Sequence, residues 1–218
     1  MQCFYLQCTR HQRGMSKSIL DNLFGSRVRV KLLKLLYRQH PSLFSMSELS
    51  MRIQEPSFIA RRELTVLQDI DLVKRVKIGT AALRDRERYG LNDEFSLLDE
   101  LKELVLKPSP TETDRLVKRI NGLGRVKMAV AAGIFVSQPD DTTYETPADL
   151  FIVGDDLDKA KLGRFLKQLE AEMGGEVRFA VMEKDDFLHR YKFFDRFLRV
   201  LLEGPHRKII DKLNMESA

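Results

Sequence analysis

Apolar residues recur three and four positions apart in the first half of the chain, which predicts a series of short amphipathic helices. The first long helix follows Gly25 and Ser26 and ends near His40 and Pro41. Its lysines and arginines fall largely opposite its apolar stripe, so we expect one buried face and one solvated face. The stripe consists of Val28, Leu32, Leu35 and Leu36.

A helix, a turn and a second helix are predicted between residues 45 and 70. Ser45 and Glu48 fit a capping box that opens the first of them. The two faces of the second helix are Ala60, Leu64 and Leu67 on the buried side and Ser57, Phe58, Arg61, Arg62 and Thr65 on the opposite side. A helix with one buried face and one arginine-bearing face is suited to the major groove of duplex DNA.

Apolar and basic positions then interleave in a segment that we interpret as a two-stranded hairpin. Gly79 and Thr80 begin its turn. Its basic positions are Lys74, Arg75, Lys77, Arg84, Arg86 and Arg88. One interpretation is that these cations contact DNA phosphates, and the other is that they form ion pairs with Asp85 and Glu87 across the strands. The two interpretations are compatible with each other.

These segments together resemble the winged helix-turn-helix of bacterial and archaeal transcription regulators. The resemblance is carried by SELSMRI, by ARRELTVLQDIDLV and by a basic hairpin that ends in RYGLN. It covers residues 16–107 and implies that the second helix reads bases while the hairpin contacts the DNA backbone. Asp71 departs from this family, which usually has glycine at this point before the wing, although Asp tolerates left-handed conformations better than most residues.

A further amphipathic helix is predicted after the hairpin, with Asn92 as its cap. Leu97 and Leu104 widen its apolar surface. We interpret this surface either as a homodimer contact or as a contact with the second half of the same chain. Residues 107–110 read KPSP and predict a stiff linker, after which Thr111 or Thr113 caps another helix.

The second half alternates between buried strands and amphipathic helices. The predicted strands are 126–132, 149–154, 176–182 and 206–211, and the predicted helices are 156–173 and 185–202. We therefore expect an α+β protein with an N-terminal winged helix-turn-helix domain at 16–107 and a small α/β domain at 108–218. Residues 1–15 are expected to be a disordered extension.

The second half is similar to the minimal nucleotidyltransferase fold, through VKMAVAAG, ADLFIVGDDLD and GGEVRFAVMEKDDF leading to LLEGP. The resemblance implies a Gly-Ser turn after the first strand and an Asp-x-Asp pair that holds Mg²⁺ at the second. Here Gly133 is followed by Ile134, and Pro147 stands where the first aspartate of the pair with Asp149 is expected. A third carboxylate is also missing, since Arg178 or Phe179 occupies its place. We therefore predict a nucleotidyltransferase-like domain that has lost its activity and serves ligand sensing or protein association.

Charge distribution changes the picture of the first half. The chain carries a net charge of +5, but residues 1–107 contribute +6 and residues 108–218 contribute −1. A basic excess in the half with the helix-turn-helix favours a polyanionic partner. No apolar run approaches the length of a membrane helix, and we expect a cytoplasmic protein that does not bind a membrane. The effector is not indicated by the sequence.

Three functional hypotheses follow from these patterns. The first is a transcription regulator that binds double-stranded DNA and has no catalytic residue, no cofactor and no metal. The second is an active metal-dependent nucleotidyltransferase whose site is completed by Asp141, Glu145 or Asp149. The third is a protein-interaction module, which salt-dependent binding to duplex DNA would distinguish from the first.

Overall fold

The first half of the chain folds into helices around a two-stranded hairpin. The computed structural model describes residues 18–78, 86–107, 110–136 and 146–213. Its first elements are α1 (Ile19–Leu23), α2 (Arg27–Arg38), α3 (Met46–Ile53), α4 (Ser57–Asp69), β1 (Val73–Ile78), β2 (Arg86–Leu91) and α5 (Leu98–Leu106). Strands β1 and β2 are antiparallel, with Val73 opposite Leu91 and Ile78 opposite Arg86. We refer to this hairpin as the wing.

The second half is a mixed four-stranded sheet with helices on both faces. Its elements are α6 (Pro110–Asn121), β3 (Arg125–Ala132), a 3-10 turn (Gly133–Phe135), β4 (Leu150–Asp155), α7 (Lys159–Met173), β5 (Phe179–Met182), α8 (Lys184–Lys192), α9 (Arg196–Glu203) and β6 (His206–Asp211). The strand order is β5-β4-β3-β6. Strand β3 is antiparallel to both of its neighbours, whereas β4 and β5 are parallel. Helices α6 and α7 cover one face, and α8 and α9 cover the other.

Local sequence signals explain the helix-turn-helix. The capping box predicted at Ser45 is present, because Glu48 accepts a 2.7 Å hydrogen bond from the Ser45 amide and Ser45 Oγ accepts one from the Glu48 amide. Leu49 and Ile53 of α3 pack in the same core as Leu64 of α4. Asp71 lies in the turn before the wing with a φ of 60°, so it adopts the left-handed conformation that glycine usually provides.

Two predictions in the first half were wrong. Lys31 and Lys34 were expected on a solvated face of α2, but they are 8% and 5% exposed. The Lys31 ammonium donates to the Ile53 carbonyl at 3.0 Å and to Glu55 at 2.5 Å, both in the first half. Lys34 is buried where α2 packs against the second half, and it pairs with Glu112 of α6 at 3.0 Å. Asn92 does not cap α5, which begins at Leu98; its side-chain Nδ2 donates instead to the Asp71 carbonyl.

The predicted helix at 185–202 is divided into two in the structure. Phe194 lies between α8 and α9 with a φ of 53°, and the carboxylate of Asp195 caps α9 by accepting from the amides of Phe197 and Leu198. The helical spacing of the aromatic residues concealed this break. The predicted linker was also partly wrong, because α6 already begins at Pro110, before either of the threonines proposed as its cap.

Gly174 allows the two halves to approach each other closely. It lies at the C-terminal end of α7 with a φ of 74°, and a Cβ at this position would overlap the backbone of Lys34 and Leu35 in α2. Only glycine combines this backbone conformation with such a contact. Within the described part of the chain, no helix combines the length and the apolar character needed to cross a membrane.

Candidate nucleic-acid interface

Helix α4 exposes a continuous face of side chains that belongs to no core. Ala60, Leu64 and Leu67 are buried on the inner side, as the periodicity predicted. The outer residues from the start of the helix are Ser57, Phe58, Arg61, Arg62 and Thr65, and all five are exposed. The five exposed residues of this outer face include two arginines and no carboxylate, a composition that favours an anionic partner.

Two side chains of this face, those of Phe58 and Arg61, are candidates for direct contact with a partner. Phe58 is 74% exposed, which is unusual for a large aromatic side chain. The guanidinium of Arg61 forms no hydrogen bond or ion pair with another described residue, and it remains available to a partner. Thr65 donates to the Arg61 carbonyl at 3.0 Å, and Ser57 donates to the hydroxyl of Ser50.

A buried carboxylate fixes the inner side of α4. Glu63 accepts a 2.9 Å hydrogen bond from Arg29 of α2 and another of 2.9 Å from Arg62. Burial raises the pKa of Glu63, but the hydrogen bonds from Arg62 and Arg29 outweigh this effect and hold the pKa below its usual value. Glu63 was not predicted from the sequence as a buried residue, although it continues the buried series from Ala60 three residues later.

The wing is held beside the helix-turn-helix by backbone and side-chain contacts. Tyr89 of β2 exchanges backbone hydrogen bonds of 2.8 and 2.9 Å with Phe44, just before α3. Arg88 donates a 2.6 Å hydrogen bond to Glu48 of α3. The position of the wing relative to α3 and α4 is therefore fixed at its base.

The basic residues proposed in the wing have different surroundings. Lys74 pairs with Asp93 at 2.5 Å, and Arg75 pairs with Glu87 across the hairpin at 3.1 Å. Lys77 is exposed and forms no ion pair with a described residue. Arg84 lies outside the described residues, and for Arg86 only the backbone is described. Lys77 is thus a candidate for a phosphate contact, whereas Arg75 forms an ion pair across the strands.

In the degenerate motif of the second half, the Asp149 carboxylate is paired with an arginine of the same chain. Asp149 is 1% exposed, and its carboxylate accepts from the Arg178 amide at 2.9 Å, Nε at 3.1 Å and Nη2 at 3.0 Å. It also accepts from the Ile134 amide at 3.2 Å. Gly133 is required beside it, because a Cβ there would overlap the carboxylate. Arg178 was named from the sequence only as a residue at the place of the missing third carboxylate, and its role as the counterion of Asp149 was not predicted.

These residues do not fit a divalent cation. Both oxygens of Asp149 already accept hydrogen bonds, and Pro147 beside it offers no side-chain ligand. Mg²⁺ is bound by oxygen ligands and surrenders its water reluctantly, so a saturated, buried carboxylate is a poor ligand. Among the described residues, no group of three or more His, Cys, Asp or Glu side chains could hold a metal. Asp141 and Glu145, proposed as alternative ligands, lie outside the described residues.

No family model matches the chain, and no curated protein sequence matches it. Among solved structures, MepR, a transcription regulator of the Staphylococcus aureus multidrug efflux pump MepA, is similar at 18% identity and a TM-score of 0.29, over 47% of this chain and 80% of that chain. A mutant of Lactococcus lactis ZitR is similar at 16% identity and a TM-score of 0.30, over 50% of this chain and 78% of that chain. At such scores the likeness carries no argument about function.

Proposed function

We propose that this protein is a transcription regulator that binds double-stranded DNA through α4 and the wing. The single observation that carries the proposal is the outer face of α4, which presents Phe58 and Arg61 to solvent. Phe58 is 74% exposed, and the guanidinium of Arg61 forms no hydrogen bond or ion pair with another described residue. An arginine can bind the O6 and N7 atoms of guanine with two hydrogen bonds, and an aromatic side chain can contact a thymine methyl group.

The roles of the individual residues follow from their positions. The residues proposed to face the major groove are Ser57, Phe58, Arg61, Arg62 and Thr65. Lys77, at the exposed part of the wing, is proposed to contact a phosphate, together with Lys74, Arg75, Arg84, Arg86 and Arg88. Helix α4 also begins without a side-chain cap, which leaves its first amides available to an anion.

A homodimer is part of the proposal. Val105 and Leu106 of α5 are buried in the chain itself, whereas Leu97 and Leu104 are 53% and 42% exposed. An exposed apolar pair at the edge of a DNA-binding unit is a reasonable contact for a second copy. Dimerisation would place two copies of α4 on one duplex, and the bound site would then contain two related half-sites.

We further infer that the second half is a nucleotidyltransferase-like domain without activity. The inference is supported by the ion pair of Asp149 with Arg178, since the guanidinium provides the positive charge that Mg²⁺ provides in active members of that fold. A test is incubation with labelled ATP, Mg²⁺ or Mn²⁺, and candidate RNA or protein acceptors. We expect no transfer, and labelling that disappears in Asp149→Ala would instead establish an enzyme.

Selection of bound sites from random duplex DNA tests the main proposal. We expect one sequence motif to be enriched, and we expect affinity for it to fall as salt rises because phosphate contacts release counterions. Failure to enrich any motif, combined with affinity that does not respond to salt, would favour a protein-interaction module.

A further inference from the structure

A cavity of about 830 Å³ lies where the two halves of the chain meet. Val30, Lys31 and Lys34 of α2 line one side, and residues of α6 and α7 line the other. This volume falls within the range of small-molecule sites in proteins. The cavity was not predicted from the sequence, because its walls come from elements far apart in the chain.

Positive charge exceeds negative charge in the lining. The cationic residues are Arg27, Lys31, Lys34, Arg115, Lys118, Arg119 and Arg207, and the acidic residues are Asp21, Glu55, Glu112 and Glu172. Three of the cations, Arg115, Lys118 and Arg119, lie within one turn of each other on α6. A concave site with an excess of cations concentrates anions, because low-dielectric walls focus the field.

One carboxylate joins two arginines from opposite walls. Glu172 of α7 accepts from Arg27 of α2 at 2.5 Å and from Arg119 of α6 at 2.6 Å. A guanidinium has five N–H donors, so each arginine keeps donors that Glu172 does not use. Lys118 forms no ion pair with any residue that the structure describes. The wall can therefore accept a further anionic group without losing its internal carboxylate.

Part of the lining is apolar, beside the uncharged polar residues Ser18, Gln54, Thr113 and Gln168. Leu116, Phe135, Leu169 and Met173 contribute side chains to the same cavity. A site with apolar walls and a few convergent polar groups is typical of a small organic ligand whose charged group sets its orientation. The ligand must therefore have an organic body as well as an anionic group.

We propose that this cavity binds a small phosphorylated organic molecule. Its phosphate is bound by Arg119 and Lys118 of α6 together with Arg27 of α2, and its organic body lies on the apolar wall. A phosphate carries about −1.5 to −2 charges near neutral pH, which matches a lining with several excess cations better than a single carboxylate does. Arginine is also well suited to phosphate, because two N–H groups can bind two oxygens at once.

Ligand binding at this position is connected to α4. Helix α2 contributes Arg27 to the cavity and Arg29 to Glu63, the buried acid of α4. A ligand that changes the position of α2 would therefore change the orientation of α4. This regulatory consequence rests on the proposed DNA-binding function, whereas binding of the ligand itself does not.

Isothermal titration of the full chain in low-salt buffer without divalent cations tests the proposal. The probes are ATP and inorganic pyrophosphate, with adenosine as the uncharged comparison. We expect saturable binding of ATP and pyrophosphate, tighter for ATP, and no binding of adenosine. Absence of saturable binding for both phosphorylated probes would overturn the proposal, and so would adenosine binding as tightly as ATP.

Variants locate the site. Lys118→Gln changes an exposed side chain and should weaken ATP binding severalfold, and Arg119→Gln should weaken it at least tenfold. Arg164→Gln, on the exposed side of α7, is the matched control and should keep wild-type affinity. Unchanged affinity in both Lys118→Gln and Arg119→Gln would overturn the proposed site. If Arg119→Gln does not fold, the ATP affinity of Lys118→Gln alone tests the proposed site.

Titration of labelled duplex DNA in the presence and absence of ATP separates the two proposals. A chain that binds ATP but not DNA would preserve the ligand site and contradict the proposed function. A chain that binds DNA but neither ATP nor pyrophosphate would support the proposed function and overturn the proposed ligand site. If both bind, we expect ATP to change DNA affinity at least threefold.

Discussion

Arg29 and Glu63 form an ion pair of 2.9 Å between the inner faces of α2 and α4. Glu63 has a side chain that is 5% exposed, and it is the only acid among the buried residues of α4. An ion pair beneath the outer face of α4 restricts how that helix can rotate on α2. The position of Phe58 and Arg61 relative to the wing therefore depends on a carboxylate that faces away from both.

Replacing Glu63 should make the free energy of unfolding depend less on pH in the acidic range. Glu63→Gln should lower the free energy of unfolding at pH 7 by roughly 1–3 kcal/mol, the usual range for a hydrogen bond to a charged group. The pKa of Glu63 is lower in the folded chain than its ordinary value of 4.5. Its contribution is therefore complete above pH 4.5 and is lost as the pH falls through the folded-state value.

Urea unfolding between pH 3 and pH 7 measures this difference. The gap between the wild type and Glu63→Gln should narrow as the solution becomes more acidic. Glu94→Gln, which changes an exposed acid next to the wing, is the control and should alter stability by less than about 0.5 kcal/mol. A gap that stays constant across this pH range would show that the charge of Glu63 is not the source of its effect.

Arg61 should determine sequence preference. Arg61→Ala should reduce affinity for the selected site by roughly 1–3 kcal/mol and relax the preference at one base position, because a bidentate contact would be lost. Stability should change little, since Arg61 has no ion pair among the described residues. Fluorescence anisotropy with the selected duplex and with random duplex measures both affinities. Arg164→Ala should match the wild type on both duplexes, and an equal loss on both duplexes for Arg61→Ala would contradict a base contact.

Lys77 and Arg88 should differ although both are basic residues of the wing. Lys77→Ala should weaken binding to all sequences and lower the slope of log affinity against log salt by about one unit or less. Arg88→Ala should change this slope less, because its guanidinium is already paired with Glu48 at 2.6 Å. Anisotropy at a series of salt concentrations gives the slopes. Equal reductions in both variants would show that the pair with Glu48 opens when DNA binds.

Local signals were sufficient to predict much of the first half. The capping box at Ser45 and the apolar series through Leu64 depend on neighbours within a few residues, so they are readable from sequence. Lys34 could not be placed correctly, because its burial depends on Glu112, which is 78 residues away. The pairing of Arg178 with Asp149 and the cavity between the halves were missed for the same reason.

Gly174 and Gly163 of α7 provide a matched pair of glycine variants. Gly174→Ala combines a positive φ with overlap against the α2 backbone, and it should destabilise the chain by roughly 1–3 kcal/mol. Gly163 is inside α7, and nothing lies within 4 Å of the position of an added Cβ. Gly163→Ala should therefore stabilise the chain by roughly 0.5–1 kcal/mol, through helix propensity alone. Thermal unfolding followed by circular dichroism compares them, and equal shifts would contradict close contact between the halves.

Asp149 and Arg178 should be energetically coupled. Arg178→Met keeps the length of the side chain but leaves a buried carboxylate without its guanidinium, and it should cost roughly 1–3 kcal/mol. Asp149→Asn keeps the shape of the side chain and removes the charge. Once that charge is absent, loss of the guanidinium matters less, so the double variant should be more stable than the sum of the two single changes indicates.

A coupling energy of roughly 0.5–3 kcal/mol is expected for residues in direct contact. Urea unfolding of the four proteins completes the cycle, and additive effects would mean that Arg178 does not neutralise Asp149.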